Sequence, residues 1–296
     1  MVKTFCCLLL FCISFIGKAQ KYPPGKVLRI TSSHSMFPDS LRNVQPRVYG
    51  GKTYSAAENY SDSSVFIFVP DYFDKTKYFE FVFWFHGWNN HIDSALLQFQ
   101  LPEQFYAAHQ NAIFIFPEGP KNAPDSYGGK LEQKDGLLKL YTDIVDTLLI
   151  KLEIQKVFAP IVLAGHSGAY RVIGKITQTF PPALIRGIYL FDALYGEIES
   201  YLAFAKSGSR FINIYTDDGG TKQHSFDFLK NLDSLHIPYL HKEEDELTCK
   251  ELKSNNIIFL HSKKGHNEVI TSNRNFERFL SGHGRQEPTT PAGWGQ

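Results

Sequence analysis

The stretch IVLAGHSGAY, residues 161–170, decides how the rest of the chain is read. Four consecutive apolar residues run into Gly165, His166, Ser167, Gly168 and Ala169. A helix-patterned segment, AYRVIGKITQTF (169–180), follows and stops at Pro181-Pro182. An apolar run of this kind reads as a strand covered on both faces. The small residues after it then mark a sharp strand-to-helix turn, and Ser167 lies at the carboxyl edge of a sheet, where folds of this kind bind their ligands.

The same alternation runs through the chain. Apolar runs rich in β-branched and aromatic residues at 63–70, 79–85, 111–117, 159–165, 185–191, 210–216 and 255–261 read as strands. Helical patterning falls between them at 94–109 (with Asp93 as N-cap), 137–152, 169–180, 198–206, 225–236 and 267–280. Strand following helix without internal repetition predicts an α/β fold: a mostly parallel, doubly wound sheet with helices on both faces. Residues 21–62 carry less periodic signal, and Gly50-Gly51 marks a hairpin turn between antiparallel strands at the start of the fold. No linker interrupts the pattern, so 21–280 read as one domain and the Gly- and Pro-rich stretch 281–296 as a disordered tail.

Residues 1–20, MVKTFCCLLLFCISFIGKAQ, have a basic start, a short apolar run and small residues at Gly17 and Ala19. That is the layout of a cleavable signal peptide, and the run is short for a membrane span. The expected destination is secreted or periplasmic. Phe11 is too bulky for a lipoprotein site at Cys12. Beyond residue 20 the only cysteine is Cys249, so no internal disulfide is expected and the core must hold the fold. The formal net charge of +1 gives no reason to expect nucleic acid as a partner.

Gly-x-Ser-x-Gly between a buried strand and a helix is the nucleophile elbow, with Ala169 here in the last position. A serine hydroxyl needs an imidazole to remove its proton and a carboxylate to orient that imidazole. The base candidate is His266, after the last apolar strand and before a helix. For the acid, Asp192 follows the strand ending at Phe191, whereas Asp217 and Asp218 follow the strand ending at Thr216 in a DDGG turn. Asp192 is preferred because a buried strand holds it rigidly, and the other two remain alternatives. The backbone N–H of Gly168 is one donor for a developing oxyanion. The loop HGWNNH (86–91) nominates the N–H of Trp88 as the other, with His86, Gly87 and Asn89 beside it as expected substrate contacts. His86 and His91 are five apart without a cysteine pair, so no metal site is expected.

On these residues, HGW at 86–88, GHSGA at 165–169, the acids at 192 or 217–218 and His266, the sequence resembles the α/β-hydrolase superfamily over roughly residues 60–280. The resemblance implies an α/β-hydrolase sheet of about eight strands, antiparallel at the second, and a serine hydrolase mechanism without cofactor. Its expected substrate is a carboxylic ester, small or linked to a glycan or peptide. The alternatives are an amide or peptide hydrolase with the same triad, or a hydrolase-fold binding protein without catalysis. About 20 residues separate Phe191 from Arg210, too few for a large lid. The long loop 117–136 is expected to border the pocket, with Asp125, Ser126, Tyr127, Lys130 and Glu132 as substrate contacts. Trp88, Tyr127 and Tyr195 are candidates for stacking on a sugar or aryl group.

Overall fold

The computed structural model describes residues 22–154 and 159–282. The signal-peptide reading of residues 1–20 and the tail from residue 283 lie outside the described residues.

Eleven strands are formed among the described residues: β1 Gly25–Thr31, β2 Arg47–Tyr49, β3 Lys52–Tyr54, β4 Ser64–Pro70, β5 Glu80–Phe85, β6 Ala112–Pro117, β7 Ile161–His166, β8 Ile185–Phe191, β9 Arg210–Thr216, β10 Leu240–Glu243 and β11 Ile257–Ser262. Nine make one sheet in the order β1-β4-β6-β5-β7-β8-β9-β11-β10. β4 runs antiparallel to both neighbours, and every pair from β6 to β10 is parallel.

Period-two alternation divides the core. Phe81, Phe83 and Phe85 of β5, with Ile113, Ile115, Ile161 and Leu163, face one apolar layer, whereas Val82, Trp84, Phe114, Phe116, Val162 and Ala164 face the other. Consecutive positions are therefore all buried, which is why these strands read as unbroken apolar runs. The helix Gly136–Leu152 covers the first layer with Leu137, Leu140, Tyr141, Ile144 and Leu148, the 3–4 spacing of one helical face.

The sheet has nine strands rather than about eight. The two strands the apolar pattern does not reveal, β1 and β10, are its edges. Each pairs on one side only and is partly exposed, so neither needs a continuous apolar run. The Gly50-Gly51 turn does join a hairpin, with φ of +57° and +76°, but β2 and β3 form a separate two-stranded sheet and do not lead into the main one.

Two expected helices are broken. The segment 94–109 divides into Ile92–Gln98 and Leu101–Ala107, with Gln100 at φ +50° and Pro102 in the first turn of the second helix. His91, not Asp93, is the N-cap residue of the first. The segment 267–280 likewise divides into Glu268–Thr271 and Asn275–Ser281 at Arg274, φ +50°. Ser281 and Gly282 still belong to the packed structure, and a Cβ on Gly282 would press on Leu252. Between Phe191 and Arg210 stands one helix, Ile198–Lys206, and no inserted cap. No helix among the described residues is long and apolar enough to cross a membrane.

Candidate active site

Six neighbouring strands place residues at their carboxyl ends close together, some expected from the sequence and some not. The HGW loop leaves β5, Glu118 leaves β6, Ser167 follows β7, Asp192 follows β8, Thr216 ends β9 and His266 follows β11.

Ser167 holds φ +54° at the head of a short 3-10 turn, Ser167–Ala169, whose Tyr170 N–H donates to Ser167 O. The small residues around it have specific neighbours. A Cβ on Gly165 would lie 2.6 Å from the Ala169 methyl, so the bare Gly165 makes room for alanine at the last position of the motif. A Cβ on Gly87 would lie 2.6 Å from Ser167 Cβ and 3.2 Å from Gly168 N. The HGW loop therefore runs against the serine turn, with the N–H groups of Trp88 and Gly168 near Ser167. Among the described residues, the Trp88 N–H makes no backbone hydrogen bond.

His266 Nδ1 donates to Asp192 Oδ2 over 2.6 Å. Asp192 is fully buried, and its carboxylate accepts also from Thr216 Oγ1 at 2.6 Å, Thr216 N at 3.3 Å and Thr221 Oγ1. Burial acts to raise its pKa, but the donors from His266, Thr216 and Thr221 together outweigh burial and hold it below the ordinary aspartate value. Asp217 is turned elsewhere: it pairs with Lys222 at 2.5 Å and with His261 at 3.1 Å. Asp218 is exposed. His166, beside the serine, donates Nε2–H to His266 O over 3.0 Å, and its ring packs 4.5 Å from that of His266. Burial, then the neighbouring His266, lowers the pKa of His166 to about 3, so it stays neutral. No hydrogen bond joins Ser167 to His266 among the described residues. Catalytic hydrogen bonds in unliganded sites are often long and tighten with substrate.

Several expected substrate contacts are used internally. Asp125 is buried and accepts from Arg42 Nε at 2.8 Å and Tyr60 OH at 2.9 Å. Tyr127 is buried, donates to Asp39 over 3.1 Å, and faces the guanidinium groups of Arg42 and Arg171, so it offers no stacking surface. Glu132 binds Arg171 through both oxygens, and Lys130 donates to Ser33 O. Ser126 accepts from Trp88 Nε1 at 2.8 Å. These are structural uses, because loop 117–136 folds onto the HGW loop: Asn89 N–H donates to Ala123 O and Asn122 N–H to Asn90 O. His86 is buried beside Glu118, and with Asp125, Ser126 and Tyr127 it lines a small pocket against Gly168.

Trp88 and Asn89 are exposed at the rim, and Tyr49 of the β2–β3 hairpin meets Trp88 edge to face at 5.3 Å. Tyr195 stands next to Ser167 and donates to Gly219 O; burial, then the Asp192 charge, pushes its hydroxyl pKa up to about 12. A cleft of about 300 Å³ at the opposite edge of the sheet, lined by Arg186, Ser207, Arg210 and Lys253, holds none of these residues. No group of His, Cys, Asp and Glu among the described residues is arranged to hold a metal. Thr216, Thr221 and Glu118 were not singled out from sequence. Glu118 carries the same signal as Asp192, an acid directly after a buried strand.

No protein-family model matches the chain, and no curated protein matches it by sequence. Solved structures do. A ferulic acid esterase superposes with a TM-score of 0.54 at 12% identity, over 88% of this chain and 99% of its own. The feruloyl esterase module from Clostridium thermocellum complexed with sinapinate gives 0.53 at 11%, over 88% of each chain. The fluorophosphonate-binding serine hydrolase F of Staphylococcus aureus gives 0.50 at 10%, over 87% and 98%. With the sheet order, the antiparallel β4 and the serine turn after β7, these superpositions establish that the chain has the α/β-hydrolase fold.

Proposed function

We propose that the protein is a serine hydrolase that cleaves a carboxylic ester through an acyl-enzyme. The observation that carries this reading is the 2.6 Å bond between His266 Nδ1 and Asp192, beside a serine held at positive φ. With its Nδ1 proton committed to Asp192, the imidazole has Nε2 free to take the Ser167 proton as Oγ attacks the carbonyl. The Gly168 and Trp88 N–H groups receive the oxyanion. His266 returns the proton to the leaving alcohol, then activates water to release the acid and regenerate Ser167. The neutral His166 adds no second positive charge beside the imidazolium that forms. The names of two of the similar structures, both ferulic or feruloyl esterases, favour ester over amide. The absence of an inserted cap favours a substrate reached directly from solvent over a lipid interface.

The test is a fluorophosphonate probe on the wild-type protein and on Ser167→Ala, followed by turnover of p-nitrophenyl acetate against an aryl amide. Ser167-dependent labelling and ester turnover are expected. Labelling that survives Ser167→Ala, or none in wild type, would reject the catalytic reading in favour of a binding protein.

A further inference from the structure

The histidine of the HGW loop belongs to a second His–carboxylate pair. His86 is 6% exposed and Glu118 2%. Nε2 of His86 lies 3.0 Å from Glu118 Oε1, and Nδ1 lies 2.7 Å from the carbonyl oxygen of Gly87. A carbonyl oxygen can only accept, so Nδ1 carries a proton and donates, and the 3.0 Å contact between Nε2 and Glu118 Oε1 holds a second proton shared by the pair. The carboxylate is itself held by backbone donors: Ile92 N–H reaches its oxygens at 3.2 and 3.3 Å, and Gly119 N–H lies between Oε1 at 3.2 Å and His86 Nε2 at 3.1 Å. Gly119 cannot carry a side chain here, because a Cβ would lie 2.6 Å from His86 Nε2.

The Gly87 carbonyl and the Trp88 N–H belong to one planar peptide unit, in which a trans bond points them in opposite directions. Whatever holds the carbonyl also aims the N–H. The loop has other anchors, from Asn89 N–H to Ala123 O, from Asn122 N–H to Asn90 O and from Trp88 Nε1 to Ser126, but none touches this peptide's carbonyl. Burying an imidazole and a carboxylate is a poor way to gain stability alone, since desolvation opposes the attraction. A function that only this pair can perform is therefore the better account of it.

We propose that Glu118 and His86 are positioning residues: Glu118 fixes the imidazole, and the imidazole fixes the Gly87–Trp88 peptide so that its N–H meets the oxyanion on Ser167 substrates. The proposal rests on the serine hydrolase reading above. The pair leaves ground-state binding alone and acts on the transition state, which a merely structural role would not do.

The experiment compares wild type, His86→Phe, His86→Asn and Glu118→Gln in kcat and KM for p-nitrophenyl acetate, inhibition by phenylboronic acid, and thermal unfolding. The boronic acid forms a tetrahedral adduct on a serine and so reports the oxyanion donors. We expect His86→Phe to lower kcat about 100-fold, the scale of losing one oxyanion donor, with KM within about threefold. Phenylboronic acid should weaken in parallel. His86→Asn, which keeps a donor near the Nδ1 position, should recover about tenfold of that loss, and Glu118→Gln should fall between Asn and wild type. If kcat and boronic acid affinity stay within about threefold of wild type in folded His86→Phe, the proposal is overturned. Should His86→Phe fail to unfold cooperatively, unchanged values in both His86→Asn and Glu118→Gln overturn it equally. Wild-type turnover that does not depend on Ser167 defeats the hydrolase reading itself, whereas Ser167-dependent turnover indifferent to these variants defeats only the positioning role.

Discussion

The carboxylate of Asp192 and the imidazole of His266 come from strands two positions apart in the sheet and meet at 2.6 Å, while Thr216 and Thr221 enclose the remaining carboxylate valences. Asp192 is thereby committed to one imidazole, and Asp217, one strand further on, is left to a surface cluster with Lys222 and His261.

The two acids should separate in turnover. Asp192→Asn is expected to lower kcat about 10⁴-fold, because an amide favours the wrong imidazole tautomer. Asp217→Asn should stay within about threefold, the range of a surface substitution away from the site. Steady-state kinetics on a p-nitrophenyl ester reads both, and a large loss at Asp217 would reassign the acid.

The threonines should act through the carboxylate. Thr221→Val removes one donor from a buried charge, a loss of about 1.5–3 kcal/mol where a hydrogen bond to an ionised group is broken. Unfolding in denaturant should show lowered stability, together with a fall in kcat at unchanged KM.

The pH dependence of stability carries the same signature. Asp192 has a folded pKa below the ordinary aspartate value of 3.8, so its contribution is fully present above 3.8 and is lost as pH falls through the lowered folded value. Thermal unfolding of wild type and Asp192→Asn should differ by a constant amount at neutral pH, with the gap closing only below 3.8. A gap that closes between pH values of about 5 and 7 would mean that the carboxyl is not held ionised as described.

At Gly87, alanine would place a methyl 2.6 Å from Ser167 Cβ. Gly87→Ala should abolish fluorophosphonate labelling while the protein still unfolds cooperatively. Ala169→Gly, which restores the commoner form of the motif, should keep kcat within about threefold, with a stability loss of about 0.5–1 kcal/mol.

Asp125 should matter to stability and not to substrate. It is buried against Arg42 and Tyr60, so Arg42→Met leaves a buried carboxylate unpaired, a loss of about 3–5 kcal/mol. The expected result is a lower unfolding midpoint with KM unchanged, and a raised KM at full stability would return Asp125 to the pocket.

How far the sequence could be read follows from what each element touches. β6 and β7 are legible because both faces are buried, leaving no polar residue inside the apolar run. β1 and β10 are hidden by the polar residues that an exposed edge permits. Ser167, Asp192 and His266 stand out because each directly follows such a strand or its short loop. Asp125 and Tyr127 mislead for a different reason. A polar residue in a Pro- and Gly-rich loop reads as solvent-facing, and only the arrival of Arg42 from residues with weak periodic signal reveals it as internal. Thr216 and Thr221 give no sign of their role, because a threonine's hydrogen-bond partner depends on folding that no local pattern encodes.

Ser167 has one more consequence. A β-carbon at φ +54° is a conformation that L-residues other than Asn and Asp seldom hold, and it costs about 1–2 kcal/mol relative to glycine. The chain would therefore be more stable with glycine at this position and, on the proposed hydrolase reading, inert. Gln100 and Arg274 hold nearly the same angle merely to break a helix, so at Ser167 the strain gains meaning only from its place at the carboxyl edge that also carries the His266–Asp192 pair.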